Sequence, residues 1–142
     1  MTTVRRIEGE IPVAFRYTPG VGNTAFFEAL RDRGVFLGSR CAHCGVTYVP
    51  ARIFCERCLA SLTPDTECGP EGVVESWTAA HRNVDGEALP APVTYALVRL
   101  DGADTVVLHR LLQPADVGAR VRAVVAPDRS ASIHDIEGFE PV

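Results

Sequence analysis

The chain has 142 residues, of which 46% are hydrophobic and 23% charged, and its formal net charge is −4. That length suits one modest core, or one core plus a small stapled module, because domains usually hold roughly 100–200 residues. The sequence lacks both a long apolar run and the apolar stretch of a secretory signal, so we expect no membrane span and a cytoplasmic location. All 14 basic residues are arginine, which excludes Schiff-base and other catalytic-lysine chemistry for the chain alone.

Residues 1–34 predict an arm followed by a short helix. Residues 1–22 are punctuated by proline and glycine and have no helical or strand period, so we interpret them as an extended arm that packs on its own domain or on a partner. Asn23 or Thr24 can cap the helix that follows, and Gly34 supplies a left-handed stop.

Residues 35–68 predict a zinc ribbon. Cys41 and Cys44 form one CxxC pair, and Cys55 and Cys58 form a second pair after ten intervening residues. In a chain with no secretory signal, such spacing indicates metal binding or redox chemistry, and two pairs with a short hairpin between them favour one tetrahedral four-thiolate site. Four thiolates leave no coordination position for water or substrate, so the ion would be structural. Zinc is the expected ion, and iron in a rubredoxin-like site fits the same ligands.

The details of the ribbon can be predicted further. Residues 46–50 and 51–54 alternate enough to form the two arms of the hairpin. Gly45 follows the first cysteine pair, where a positive φ lets backbone N–H groups approach sulfur. Leu59 stands at the equivalent place after the second pair, so the second knuckle is less typical.

Residues 69–142 predict an all-β domain. Five short strands are too few for an immunoglobulin-like sandwich of about seven and suit a closed OB-fold barrel. Trp77 would be a core or barrel-face aromatic. The predicted fold is therefore mainly β, with an N-terminal arm and short helix, a rubredoxin-like four-cysteine zinc ribbon and a five-stranded OB-fold barrel. The predicted strands are 73–81, 93–100, 105–112, 120–126 and one within 132–139, with a loop at 83–92.

Little else in the sequence offers chemistry. Cys68 is expected to be a small buried thiol, and His81, His109 and His134 fall at or near predicted strand ends, where polar residues are ordinary. No P-loop, nucleophile elbow or dinucleotide fingerprint occurs. We therefore expect no catalytic residues.

The charge of the OB-like half bears on whether it could bind nucleic acid. Residues 69–142 contain six arginines and eleven acidic residues. Single-stranded nucleic-acid binding needs clustered positive charge and stacking aromatic residues. This role stays as an alternative of lower rank, and so does a free-standing acyl-CoA-binding protein.

The order of arm, helix, ribbon and barrel resembles a bacterial and archaeal family of zinc-ribbon/OB-fold proteins associated with acyl-CoA enzymes. The resemblance spans nearly the whole chain. It is carried by FRYTPG at 15–20, FFEALRDRGVFLGSRCAHCG at 26–45, YVPARIFCERC at 48–58, GVVESWT at 72–78, PVTYALVRLDG at 92–102 and GARVRAVV at 118–125.

This resemblance implies a non-catalytic partner of a thiolase-like enzyme, an aldolase or a MaoC-like hydratase, in steroid or other lipid side-chain degradation. The arm and ribbon would dock on the catalytic subunit, and the barrel would lie near its CoA or acyl channel. CoA phosphates favour arginine. The candidates for contact with CoA or the partner are Phe15, Arg16, Tyr17, Arg40, Arg52 and Arg82.

Overall fold

The computed structural model describes residue 9 and residues 14–142. Most of the first half of the predicted arm lies outside the described residues. Residues 14–19 have no helix or strand, and helix α1 follows at Gly20–Arg33. No helix among the described residues has the length and apolarity that crossing a membrane requires.

Helix α1 begins earlier than expected. Pro19 stands at the N-cap without a side-chain hydrogen bond, and Asn23 and Thr24 lie inside the helix, so the predicted cap is wrong. Proline sets φ near the helical value and needs no amide partner, which allows the helix to start there. The stop is confirmed, because Gly34 has φ 68° and its N–H donates to the carbonyl of Leu30.

The ribbon contains a three-stranded antiparallel sheet rather than the predicted hairpin. Strand β1 (Phe36–Arg40) is central, with β2 (Thr47–Tyr48) on one side and β3 (Thr66–Cys68) on the other. The prediction of paired arms at 46–50 and 51–54 is wrong. Residues 51–54 do not pair with residues 46–50: the Ser39 hydroxyl, on β1, donates to the carbonyl of Arg52 at 2.7 Å and accepts from its N–H at 3.1 Å, and Phe54 forms an antiparallel bridge with Ser61.

The remaining strands form the predicted five-stranded barrel in the order β6-β5-β4-β7-β8. The observed β5 begins five residues before the predicted strand start at 93, so the loop between β4 and β5 is residues 83–87 rather than 83–92. A parallel bridge between Leu111 and Phe139 closes the barrel from β6 to β8. The strands are β4 (Glu71–Arg82), β5 (Ala88–Leu100), β6 (Val107–Arg110), β7 (Arg120–Val125) and β8 (Ile136–Pro141), and a 3-10 turn (Ile133–Asp135) precedes β8.

One hydrophobic core joins helix, ribbon and barrel. Phe26 and Leu30 of α1 and Phe36 of β1 are buried in the same cluster as barrel residues such as Val74 and Phe139. Cys68 is buried in this cluster as predicted, and burial raises the pKa of its thiol. Trp77 is 48% exposed, which makes it a barrel-face residue rather than a core residue.

Hydrogen bonds tie the ribbon to the turn between β5 and β6. The N–H of Thr47 donates to the Asp104 carboxylate at 2.8 Å, and the N–H of Asp104 donates to the carbonyl of Thr47 at 2.9 Å. The Thr105 hydroxyl accepts from the N–H of Val49 at 2.8 Å and donates to its carbonyl at 2.9 Å. The barrel turn therefore supplies the partners that the outer edge of β2 would otherwise lack.

Candidate metal centre

Two similar turns bring the four cysteines together. In the first turn the N–H of Cys41 donates to the carbonyl of Val46, and the N–H of Gly45 donates back to the carbonyl of Cys41, each at 2.8 Å. In the second turn Cys55 makes the same pair of bonds with Ala60 and Leu59, each at 2.9 Å. The backbone thus repeats one knuckle geometry at both cysteine pairs.

Positive φ is common to both knuckles. Gly45 has φ 73°, as the sequence predicts, and Leu59 adopts φ 60°. A side chain in this region costs roughly 1–2 kcal/mol relative to glycine. The knuckle hydrogen bonds therefore hold Leu59 in a conformation that its side chain disfavours.

The sulfur atoms have the spacing of a tetrahedral thiolate site. All four lie within 4.8 Å of one another; Cys41 and Cys58 sulfurs are 3.6 Å apart, and Cys44 and Cys55 sulfurs are 4.0 Å apart. Metal–sulfur bonds of about 2.3 Å in a tetrahedron give sulfur–sulfur distances of about 3.8 Å. The donor set therefore fits a four-thiolate metal ion.

Burial differs between the first and second cysteine of each pair. Cys41 and Cys55 are buried, whereas Cys44 and Cys58 are exposed. The N–H of Cys44 lies 3.4 Å from the sulfur of Cys41, to which it donates. His43, inside the first knuckle, is also exposed.

Tyr48 is a residue of this site that the sequence analysis did not identify. Its ring is fully buried, and its hydroxyl lies 3.3 Å from the sulfur of Cys55. This hydrogen bond is the largest of the causes that lower the pKa of Cys55 to about 6, and together with burial it raises the pKa of Tyr48 to about 12. Tyr48 therefore favours the thiolate form that a metal requires. In the sequence, the position of Tyr48 on a predicted strand just after the first cysteine pair was the one indication that it lies near the cysteines.

The predicted arm residues are exposed. Phe15 is 66% and Tyr17 83% exposed, and their ring centroids lie 5.9 Å apart. Arg16 is also exposed. This part of the arm therefore presents two adjacent aromatic rings to solvent.

The other candidate arginines lie on separate elements. Arg40 ends β1 and donates to the Thr47 hydroxyl at 3.2 Å, whereas Arg82 ends β4 and donates to the carbonyl of Gly86 at 2.7 Å. Arg52 pairs with Glu56 at 2.6 Å and lies over the Tyr48 ring, 4.9 Å from its centroid. Arg52 alone of these three lines the groove described next.

A groove of about 500 Å³ separates the start of α1 from the loop after β2. Its exposed apolar residues are Val21 on the helix and Ile53 and Phe54 on the loop. Gly22 allows the two walls to meet, because a Cβ there would clash with the carbonyl oxygen of Ala51. We call Phe15, Tyr17, Val21, Ile53 and Phe54 together the ribbon surface.

Fold and site define a class: a rubredoxin-like zinc ribbon joined to an OB-fold barrel. Residues 29–63 match the family model of the ChsH2 rubredoxin-like zinc ribbon domain, and residues 65–126 match that of the ChsH2 C-terminal OB-fold domain. Together the two matches cover more than half of the chain. The chain belongs to the ChsH2-type zinc-ribbon/OB-fold family.

Solved structures agree with this assignment. A DUF35-family protein of unknown function from Sulfolobus solfataricus is 27% identical, with 82% of each chain covered and a TM-score of 0.66. A structure described as Ltp2-ChsH2(DUF35) aldolase is 25% identical, with 89% of this chain and 98% of that chain covered and a TM-score of 0.64. No curated protein sequence gives a significant match.

Proposed function

We propose that this chain is a non-catalytic accessory subunit that docks on an aldolase acting on acyl-CoA substrates. The observation that carries the proposal is the likeness, over most of both chains, to the structure described as Ltp2-ChsH2(DUF35) aldolase. The closed thiolate shell supports it, because such a site leaves no position for substrate. A narrower version of this proposal is that the partner is thiolase-like or MaoC-like and that the complex acts in steroid or lipid side-chain breakdown.

The ribbon surface is the docking face in this proposal. Its exposed side chains lie in the arm just before α1, at Phe15 and Tyr17, and along the groove, and exposed aromatic and aliphatic side chains of this kind favour a protein interface. Phe15, Tyr17 and Phe54 are the anchors with the largest side chains. Leu59, at the tip of the second knuckle, is 77% exposed and adds to the apolar area near the metal.

The barrel's charge supports a protein partner rather than nucleic acid. Arg99 pairs with Glu75, Arg120 pairs with Glu71 and Asp101, and Arg122 pairs with Glu71. Residues 69–142 also contain eleven acidic residues against six arginines, and this net negative charge opposes binding to a nucleic-acid backbone. Salt-dependent retention on single-stranded DNA would instead favour the nucleic-acid alternative.

Arg52 is the best-supported candidate for CoA phosphates, because it lines the groove at the ribbon surface. In this proposal its guanidinium would exchange the exposed Glu56 carboxylate for a phosphate once a partner covers the groove. An Arg52→Ala complex should show a raised KM for the acyl-CoA with little change in kcat. Acyl-CoA binding to the isolated chain in calorimetry would point to a free-standing CoA-binding protein.

The metal in this proposal is zinc. Elemental analysis of protein purified without added metal should give one zinc per chain. Iron in its place would give visible thiolate-to-iron absorption, and absence of both metals would contradict the proposal.

Co-expression with the thiolase-like aldolase of the same organism tests the accessory role. We expect a complex that survives size-exclusion chromatography, and the aldolase alone should be less soluble or less active. The double variant Phe15→Ala/Phe54→Ser should weaken binding at least about tenfold, because interface energy concentrates in a few large anchors. Val84→Ser, a fully exposed residue of the β4–β5 turn, is the matched control. Two proteins that stay apart at micromolar concentration would contradict the proposal.

A further inference from the structure

The barrel has a seam between β6 and the segment that leads into β8. Strand β6 pairs with β5 along one edge, from Val107 to Arg110. On its other edge the backbone contacts that close the barrel begin, within the described part of the chain, just after the strand, where Leu111 bridges to Phe139 and the N–H of Leu112 donates to the carbonyl of Phe139 at 2.8 Å. The 3-10 turn (Ile133–Asp135), rather than a strand, borders the rest of that edge.

A cavity of about 410 Å³ occupies this seam. That volume lies within the roughly 300–1,000 Å³ of small-molecule sites. Its apolar wall consists of Leu108, which is 62% exposed, the half-exposed Tyr95 and Ile133, and the buried Ile136. Three exposed large side chains around one cavity leave apolar surface in water that a ligand would cover.

The polar wall of the cavity is basic in character. Arg110, His109 and His134 line it, and no acidic side chain does so among the described residues. The Nε of Arg110 donates to the carbonyl of Glu137, which fixes the guanidinium at the rim, and no described carboxylate forms a salt bridge with it. Its two terminal nitrogens thus remain for an anion.

His109 provides a second, independent polar feature. It faces the barrel interior beside Ala96, and its ring meets the edge of Phe139 with centroids 6.4 Å apart. Its Nδ1 is buried and has no hydrogen-bond partner in the described part of the chain. Buried polar atoms are nearly always paired, so such an atom points to a water or ligand at this position.

We propose that the seam cavity binds a small organic carboxylate with an apolar body, its carboxylate on Arg110 and its chain against Leu108 and Ile133. The apolar wall, the volume and the free guanidinium each select one part of that chemistry. The site lies on the barrel, whereas the ribbon surface lies on the arm, α1 and the ribbon. The proposal therefore does not depend on the docking function.

Hexanoate titration of the ¹⁵N-labelled, metal-loaded full chain tests the proposal. We expect saturable amide shifts at Tyr95, Leu108 and Ile133, together with shifts of the His109 ring signals. An affinity of about 1 mM is the scale for so small a ligand. Hexanol, with the same chain and no charge, and acetate, with the charge and no chain, should each bind at least about fivefold more weakly.

Two variants separate the site from general surface charge. Arg110→Gln should weaken hexanoate binding at least about fivefold, whereas Arg99→Gln, an arginine of the neighbouring strand that is paired with Glu75, should leave it unchanged. Leu108→Ser should weaken binding without removing charge. The same spectra verify that each variant is folded.

Four outcomes of the hexanoate experiments would overturn the proposal. They are no saturable shift at about 10 mM hexanoate, shifts confined to the ribbon surface, equal affinity for hexanol, and equal effects of Arg110→Gln and Arg99→Gln. Seam shifts that appear only with an acidic peptide would reassign the cavity to a protein segment and would likewise overturn it.

Discussion

At the four-cysteine cluster, a hydroxyl group lies beside the sulfur of Cys55. The hydroxyl belongs to Tyr48, whose ring is fully buried, so a phenylalanine would remove the hydroxyl and keep the packing of the ring. Tyr48→Phe should weaken metal binding about tenfold, since groups that hydrogen-bond to ligands are worth 10–100-fold in affinity. Competition with a chromophoric chelator measures the change. Tyr17→Phe, in the exposed arm, is the control, and equal affinities for wild type and Tyr48→Phe would show that the hydroxyl does not tune the site.

Asp135 is a buried carboxylate that organises the loop before β8. It accepts hydrogen bonds from the backbone N–H groups of Ser130, Ala131 and Ser132 at 2.8–3.2 Å. Ala131 has φ 62°, so these bonds also hold an unfavourable backbone conformation. The carboxylate therefore stabilises the strained turn beside the seam cavity.

The ionisation of Asp135 predicts a pH dependence. Burial alone would raise its pKa, but the backbone hydrogen bonds outweigh burial and hold the pKa below its ordinary value of 3.8. Because the folded-state pKa is the lower one, the stabilisation is complete above the unfolded-state value and is lost as pH falls through the folded-state value. Asp135→Asn should cost about 2 kcal/mol at neutral pH. Chemical denaturation at several pH values should show that the loss shrinks below about pH 4; a constant difference would contradict this account.

At the level of elements, Leu59 of the second knuckle has both an unfavourable backbone conformation and an exposed side chain. Leu59→Gly should stabilise the free protein by up to about 1 kcal/mol, because glycine adopts φ 60° without steric cost. The same change removes an exposed apolar side chain and should weaken partner binding. The unfolding temperature of the free protein should therefore rise while the affinity for the partner falls. Gly45→Ala, at the equivalent position of the first knuckle, should destabilise the free protein instead.

The contact between α1 and the ribbon depends on Gly22. Gly22→Ala would place a methyl group against the carbonyl of Ala51 and force the helix away from the loop. We expect a loss of about 2 kcal/mol, in the range of overpacked core sites. Denaturant titration measures it, and Asn23→Ala is the control for helix propensity. An unchanged stability would show that the groove walls move freely.

The sequence predicts these elements unevenly, for physical reasons. Cysteine spacing indicates the thiolate cluster because the ligands are local, and strand periodicity indicates the barrel because its inner and outer faces alternate. Strand β3 was missed because Thr66–Cys68 is three residues long, has no apolar alternation and pairs with β1, some thirty residues earlier. The predicted hairpin is wrong because backbone groups of residues 47–52 bond to side chains that are distant in sequence. These side chains are Ser39, Asp104 and Thr105. The seam cavity likewise needs β6 and residues 133–136 to be adjacent, which no local pattern reveals.

Across the whole molecule, ribbon and barrel share both core and hydrogen bonds. Phe26, Leu30, Phe36 and Val49 pack in one cluster with the barrel interior. The outer edge of β2 is paired by the β5–β6 turn. The ribbon is therefore a wall of the barrel's core as well as a metal site, and its folding should affect barrel stability.

Metal removal tests this coupling directly. Because the metal's binding free energy contributes to folding the ribbon, chelation should lower the unfolding midpoint of the entire chain by about 10 °C or more. Hydrogen exchange should then show lost protection at Val98 in the barrel core as well as at Tyr48 near the metal. The Thr105→Val variant removes a hydroxyl that bonds Val49 but keeps the side-chain shape, so it should reduce the effect of chelation on Val98. Thr94→Val, within β5, is the control. If chelation exposes Tyr48 and leaves Val98 protected in the unmodified protein, the two modules fold independently, and the shared core does not transmit the stability supplied by the metal.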